Sequence, residues 1–330
     1  MATTIYEAIR SSLIALLKGC WPAFDVFGEG IDKTQEAGRA ELEDYIYLDI
    51  ISSGNQPAGR GYTDRSILVD AALHTKGESN LEYRVHALLE NPNPTAAIYC
   101  KTGECEIRIT ARAETDSSAE KMCRAYATKF YDLLGDAVYD EDVTGLEETL
   151  VHTLKEKGLT IATAESCTGG MIAQRLTNVS GASEVFGFGF VTYWEQAKAK
   201  MVGVEPAVIA KYNVVSAPVA AQMALGAAEA AGADIAVSVT GLAGPNGGDA
   251  VRPVGTVYLG AACGETVYVK KLFVSRPDRA LVRARAAQAA LELALRLAQG
   301  KVPADTQALA KSARHDAAAL TALDSTFLKG

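Results

Sequence analysis

The stretch Leu159-Thr160-Ile161-Ala162-Thr163-Ala164-Glu165-Ser166-Cys167-Thr168-Gly169-Gly170-Met171-Ile172 decides the fold of the second half of the chain. Its first five residues are apolar or β-branched and read as a buried strand, whereas Met171, Ile172 and Leu176 recur at a helical spacing. The residues between them therefore form a strand-to-helix turn with Ser166 at its apex. The amides of Thr168, Gly169 and Gly170 would open the helix, where unpaired N–H groups and the helix dipole favour an anion or a developing oxyanion. A hydroxyl beside them is placed to attack a carbonyl. Equally, Ser166 or Thr168 can serve only as a helix cap while the glycines allow close packing.

Working outward, the residues that follow alternate between strand and helix patterns. Glu184 to Tyr193 is aromatic and β-branched, and Trp194 to Met201 is helical. Ser216 caps an alanine-rich helix reaching Ala231, and Asp234 to Thr240 is an apolar strand that ends in the glycine-rich loop Gly241 to Gly248. Pro253 to Gly260 and Glu265 to Phe273 read as a hairpin, and a long Ala/Leu/Arg helix runs from Asp278 to Leu297. This is an α/β domain with a mixed sheet between helical layers. Ser166, Tyr193 and Thr240 each fall just beyond a strand end, where such sheets collect ligands.

Upstream, Ile5 to Leu17 has helical spacing, while Tyr45 to Ile51 and Ser66 to Leu73 read as strands and Leu81 to Leu89 as a helix. Asn91-Pro92-Asn93-Pro94 interrupts any regular element and marks a boundary. Beyond it, Ala96–Cys100 and Glu104–Arg112 form a hairpin, followed by an amphipathic helix from Ser117 to Leu134. The expected organisation is two small α+β modules, residues 1–92 and 93–142, then an α/β domain over 143–300 and a helical or disordered tail over 301–330.

Composition narrows the function classes. With a net charge of −8 the chain offers nucleic acid no general electrostatic attraction, and the β-β-α order of 93–142 lacks the G-x-x-G loop of a KH-type RNA binder. Six scattered cysteines without a C-x-x-C pair, and four histidines that do not cluster with them, indicate neither a metal site nor a disulfide framework. No apolar run reaches the length of a membrane span, and the first residues lack a basic region followed by an apolar one. The expected setting is cytoplasmic.

The same count constrains the chemistry. Between Leu159 and Gly300 there is no histidine, so this domain cannot by itself supply a Ser-His-Asp arrangement. Lys198 is the candidate base, because desolvation lowers the pKa of a buried lysine and the neutral amine can accept the serine proton. Tyr193 can orient or relay that proton. Cys167 is a rival nucleophile whose position suits packing better. Arg279 and Arg283, four apart on the last helix, suit a phosphate. As solvated surface residues, these side chains would carry no chemistry at all.

Thr163 to Gly170, Gly189 to Tyr193 with Lys198, Val215-Ser216, Thr240 to Gly248 and Pro253 to Val257 together resemble, in order, the CinA C-terminal domain. The segment from Pro94 to Tyr139 is similar to the KH-like domain that precedes it in full-length CinA proteins. The family includes nicotinamide-nucleotide amidases, which convert nicotinamide mononucleotide to nicotinate mononucleotide and ammonia. The resemblance implies Ser166 as nucleophile, Lys198 as base and Tyr193 as its assistant. It implies a substrate site drawn from Glu165, Thr168, Gly169, Gly170, Thr240, Gly241, Gly244, Arg279 and Arg283, with no cofactor or metal. The expected partners are that small-molecule substrate and further copies of the chain, not a membrane or nucleic acid. Glu195 stands where the family usually has asparagine and adds negative charge near a phosphorylated ligand. The large first domain of full-length CinA proteins is replaced by about ninety different residues, so its pyrophosphatase activity is not carried over. Those residues resemble phage tail-terminator proteins, which implies an alternative: a non-enzymatic assembly protein with a vestigial nucleotide-binding domain.

Overall fold

In the computed structural model the described residues are 45–46, 53–58, 62–71, 73–74, 85, 87–101, 103–275 and 278–328. The expected helix over 5–17 and most of the strand expected over 45–51 lie outside them. The chain divides into two units, residues 1–145 and 146–330.

In the first unit, β1 (Tyr45–Ile46) pairs with β4 (Leu73–His74). β3 (Tyr62–Ala71) pairs antiparallel with β2 (Ser53–Ala58), β6 (Glu104–Ala113) and β7 (Val138–Glu141), and β6 also pairs with β5 (Thr95–Lys101). Helix α1 (Asp116–Leu134), capped by Thr115, lays Ala119, Cys123, Ala127 and Phe130 on Ile107 and Ile109 of β6. The Asn91–Pro94 stretch does not separate two modules, because β3 and β6 share one sheet across it. Asn93 acts as an extra rung: its side chain donates to the Arg112 carbonyl at 3.0 Å and accepts from the Arg112 amide at 2.9 Å.

The second unit begins with α2 (Leu146–Lys157), and its six strands stand in the order β13-β12-β11-β10-β8-β9. β8 (Ile161–Glu165) lies between β9 (Phe186–Val191) and β10 (Ile235–Gly241), parallel to both. β11 (Thr256–Cys263), β12 (Thr266–Phe273) and β13 (Gln307–Ala310) continue antiparallel. All five residues of β8 are buried, as its unbroken apolar run requires of a strand covered on both faces.

One face is covered by α6 (Ala217–Ala231), whose alanines bring it close enough that a Cβ on Gly260 of β11 would lie 2.5 Å from the Ala220 carbonyl. The other is covered by α7 (Arg279–Ala298), which packs beside α2 and α3 (Met171–Thr177). The result is the α/β, three-layer domain expected. The short helices α4 (Glu195–Val202) and α5 (Pro206–Tyr212) fill the connection from β9 to α6. The segment expected as a surface tail is integral: β13 extends the sheet, and α8 (Ala317–Leu328) buries Leu320 and Leu323 in the core under α6. Among the described residues no helix is long and apolar enough to cross a membrane.

Candidate active site

The turn after β8 is held from three sides. Ser166 continues the parallel ladder by donating its amide to the Val239 carbonyl at 3.0 Å. Glu165, 1% exposed, points its carboxylate along the helix start, accepting the amides of Gly170 (2.9 Å), Ile172 (3.1 Å) and Ala173 (2.9 Å). Three amides compensate the buried charge and satisfy the donors that a helix N-terminus leaves open. From α7, Arg283 donates to the carbonyls of Cys167 (3.0 Å) and Thr168 (2.9 Å).

Lys198 enters from α4. β9 runs alongside β8, and the Thr192 amide donates to the Glu165 carbonyl at 2.8 Å, which places the start of α4 beside the serine turn. The Lys198 side chain is fully buried, and its Nζ lies 2.9 Å from Ser166 Oγ and donates to the Thr192 carbonyl at 2.7 Å. Burial pulls its pKa from 10.5 down to about 8, partly countered by electrostatic interactions with Cys167 and Glu195. A neutral amine is thus accessible near physiological pH. The neighbouring Cys167 thiol is pushed the other way, up to about 11, again chiefly by burial.

These groups open onto a cleft of about 760 Å³, lined among others by Ser166, Tyr193, Trp194, Glu195, Lys198, Thr240, Gly241 and Arg279. Arg279 spans it, donating to the Gly244 carbonyl at 2.8 Å and to the Tyr193 hydroxyl at 3.1 Å. The Thr240 hydroxyl donates to the Val214 carbonyl at 2.8 Å. No group of three or more metal-ligating side chains occurs among the described residues.

The chain belongs to the CinA family. The model of the CinA C-terminal domain matches residues 143–298, and that of the Damage-inducible protein CinA KH domain matches residues 75–139. A CinA-like protein of Kosmotoga olearia is 43% identical over 221 residues, 67% of this chain and 53% of its own length. A CinA-like protein of Desulfovibrio desulfuricans is 42% identical over 196 residues, 59% of this chain and 46% of its own. The chain therefore spans about half the length of these curated relatives. Among solved structures, the competence/damage inducible protein CihA from Agrobacterium tumefaciens is 39% identical, covering 46% of this chain and 96% of its own with a TM-score of 0.44. A CinA superfamily protein from Escherichia coli is 38% identical, covering 46% and 88%, with a TM-score of 0.45.

Against this CinA frame, the expected site residues divide in two. Ser166, Lys198, Tyr193, Thr240, Gly241 and Arg279 line one cleft. Glu165, Thr168, Gly169, Gly170, Gly244 and Arg283 are not part of its lining. Glu165 and Arg283 hold the turn in shape, and the amides expected for an oxyanion are partly taken: Gly169 donates to the Ser166 carbonyl at 3.1 Å and Gly170 to Glu165. The Thr168 amide has no acceptor among the described residues. Tyr193 is 53% exposed, and its hydroxyl is engaged by Arg279, not by Ser166 or Lys198. The exposed Trp194, together with Val214 and Leu242, also lines the cleft. A tryptophan between a strand end and a helix start was a visible signal for it.

Proposed function

We propose that the C-terminal unit is a serine–lysine amidohydrolase that deamidates nicotinamide mononucleotide to nicotinate mononucleotide and ammonia. The observation that carries this reading is the fully buried Lys198 amine 2.9 Å from the Ser166 hydroxyl.

In the neutral amine the hydrogen bond runs from Ser166 O–H to Lys198 Nζ, while an amine N–H stays on the Thr192 carbonyl. Lys198 takes the seryl proton as Oγ bonds to the carboxamide carbon, and the carbonyl oxygen becomes an oxyanion. The ammonium of Lys198 then protonates the leaving nitrogen, the C–N bond breaks and ammonia departs, leaving an ester on Ser166. A water deprotonated by Lys198 attacks that ester, and the acid is released with Oγ reprotonated.

A cleft of about 760 Å³ has the size of a small-ligand site. Arg279 uses two of its five N–H donors on protein acceptors and retains others for a phosphate. The nicotinamide ring of the mononucleotide is cationic, which makes Glu195 compatible with the ring end of the ligand and not its phosphate end. The test is release of ammonia and nicotinate mononucleotide from nicotinamide mononucleotide, followed by chromatography. Ser166→Ala and Lys198→Ala should each abolish turnover; a wild-type rate in either variant refutes the assignment.

A further inference from the structure

Lys198 sits on a helix of eight residues, with one turn of chain between it and the helix end. Such an end leaves its last carbonyls without partners. Here Gly203, in the left-handed region at φ 63°, returns its amide to the Lys198 and Ala199 carbonyls, and the Val204 amide donates to the Lys198 carbonyl at 3.2 Å. The carbonyls of Val202 and Gly203 are taken by one side chain from the far end of the unit: Arg314 Nη2 donates to them at 3.3 and 3.2 Å.

Arg314 is itself fixed. It is 8% exposed, its Nη1 donates to Glu229 of α6 at 2.5 Å, and its own carbonyl accepts from Gln222 Nε2 at 2.9 Å. The next residue, His315, pairs with Glu205 just past the helix. On the α6 side there is no slack, because a Cβ on Gly226 would lie 1.7 Å from the Val202 carbonyl. The end of the Lys198 helix is therefore trapped between α6 and a segment that follows the last residue matched by the family model, 298.

We propose that Arg314 is a positioning residue for Lys198: by holding the Val202 and Gly203 carbonyls it keeps the Lys198 amine buried against Ser166. This rests on the reading of Lys198 as the base. Without the guanidinium the last turn of α4 is free to fray, and a frayed helix lets the amine reach water and regain its charge.

The test is an NMR titration of full-length protein carrying ε-¹³C lysine, with the Lys198 signal assigned by its loss in Lys198→Met. The wild-type midpoint is expected near 8. In Arg314→Gln it should rise by about one pH unit, which is about a tenfold loss of neutral amine at pH 7, and kcat for carboxamide hydrolysis should fall about tenfold with KM within about twofold. Arg314→Lys, which retains the cation but cannot span both carbonyls and Glu229, should lie between. Should Arg314→Gln fail to fold, Glu229→Gln releases the same guanidinium and should shift the midpoint in the same direction. A folded variant with the wild-type midpoint overturns the proposal. If the wild-type protein hydrolyses no carboxamide, the titration still decides the positioning role, and only the proposed activity falls.

Discussion

Replacing Lys198 with methionine tests the central feature of the site through stability, independently of any substrate. Burial holds the amine at about 8 against 10.5 in the unfolded chain. A displacement of about 2.5 units corresponds to about 3 kcal/mol against the charged form. Because the unfolded chain binds the proton more tightly, stability should rise with pH between about 8 and 10.5, and the penalty is present in full below 8. Methionine removes that penalty but leaves the Thr192 carbonyl and Ser166 Oγ without the donor they now have, a loss of about 1 kcal/mol each. The expected balance is a gain of about 1 kcal/mol at pH 7 and a loss of about 2 kcal/mol near pH 10.5. The difference in melting temperature between Lys198→Met and wild type should therefore change sign, and swing by about 6–12 °C across that range. Calorimetry at four or five pH values checks this. Melting curves that stay parallel from pH 7 to 10.5 would refute a buried, depressed amine.

Glu165→Gln weakens the charge-assisted bonds to three helix amides and should destabilise the C-terminal unit by about 1–2 kcal/mol. An unchanged melting temperature with a raised KM would instead make Glu165 a ligand contact. With its thiol held up at about 11, Cys167 should react with iodoacetamide at pH 7.5 about a hundredfold more slowly than free cysteine. Cys167→Ala should keep carboxamide hydrolysis; a loss matching Ser166→Ala would make the thiol the nucleophile. Asp324 on α8 has its pKa raised by burial, with Arg252 opposing, and its Oδ1 has no hydrogen-bond partner. The stability it lends below its unfolded pKa is lost as pH rises through the raised folded value, so Asp324→Asn should melt higher than wild type at pH 7 and at the same temperature near pH 3.

The elbow and one long-range pairing were legible in the sequence. The elbow followed from a β-branched run meeting two glycines, and the serine–lysine pairing followed from the missing histidines together with ordered family motifs. Other side chains whose partners lie far along the chain were not legible. Glu165 ends a strand, and nothing nearby distinguishes a carboxylate that closes a helix from one that grips a ligand. Arg279 and Arg283 share a helix face, as their spacing requires, yet one turn of rise sends the first across the cleft to Gly244 and Tyr193 and the second to the carbonyls of the serine turn. The alanine-rich stretch after Gly300 looks like a tail until β13 finds β12. Asn93 looks like a linker residue until it meets Arg112, nineteen positions on.

These distant contacts fall unevenly around the cleft, and the unevenness bears on how the site works. The reactive side is fixed repeatedly: Ser166 by Val239, its turn by Glu165 and Arg283, and the end of the Lys198 helix by Arg314. The 2.9 Å hydrogen bond between two buried groups depends on that fixity, because a displacement of an ångström either breaks it or admits water to the amine. Tyr193, Trp194, Glu195 and Gln196, which lead into and open the Lys198 helix, are by contrast all exposed on the cleft, where Arg279 ties Tyr193 to Gly244. Glu195, exposed in the first turn of the helix that carries Lys198, sets a negative charge on the cleft and works against the burial that lowers the Lys198 pKa.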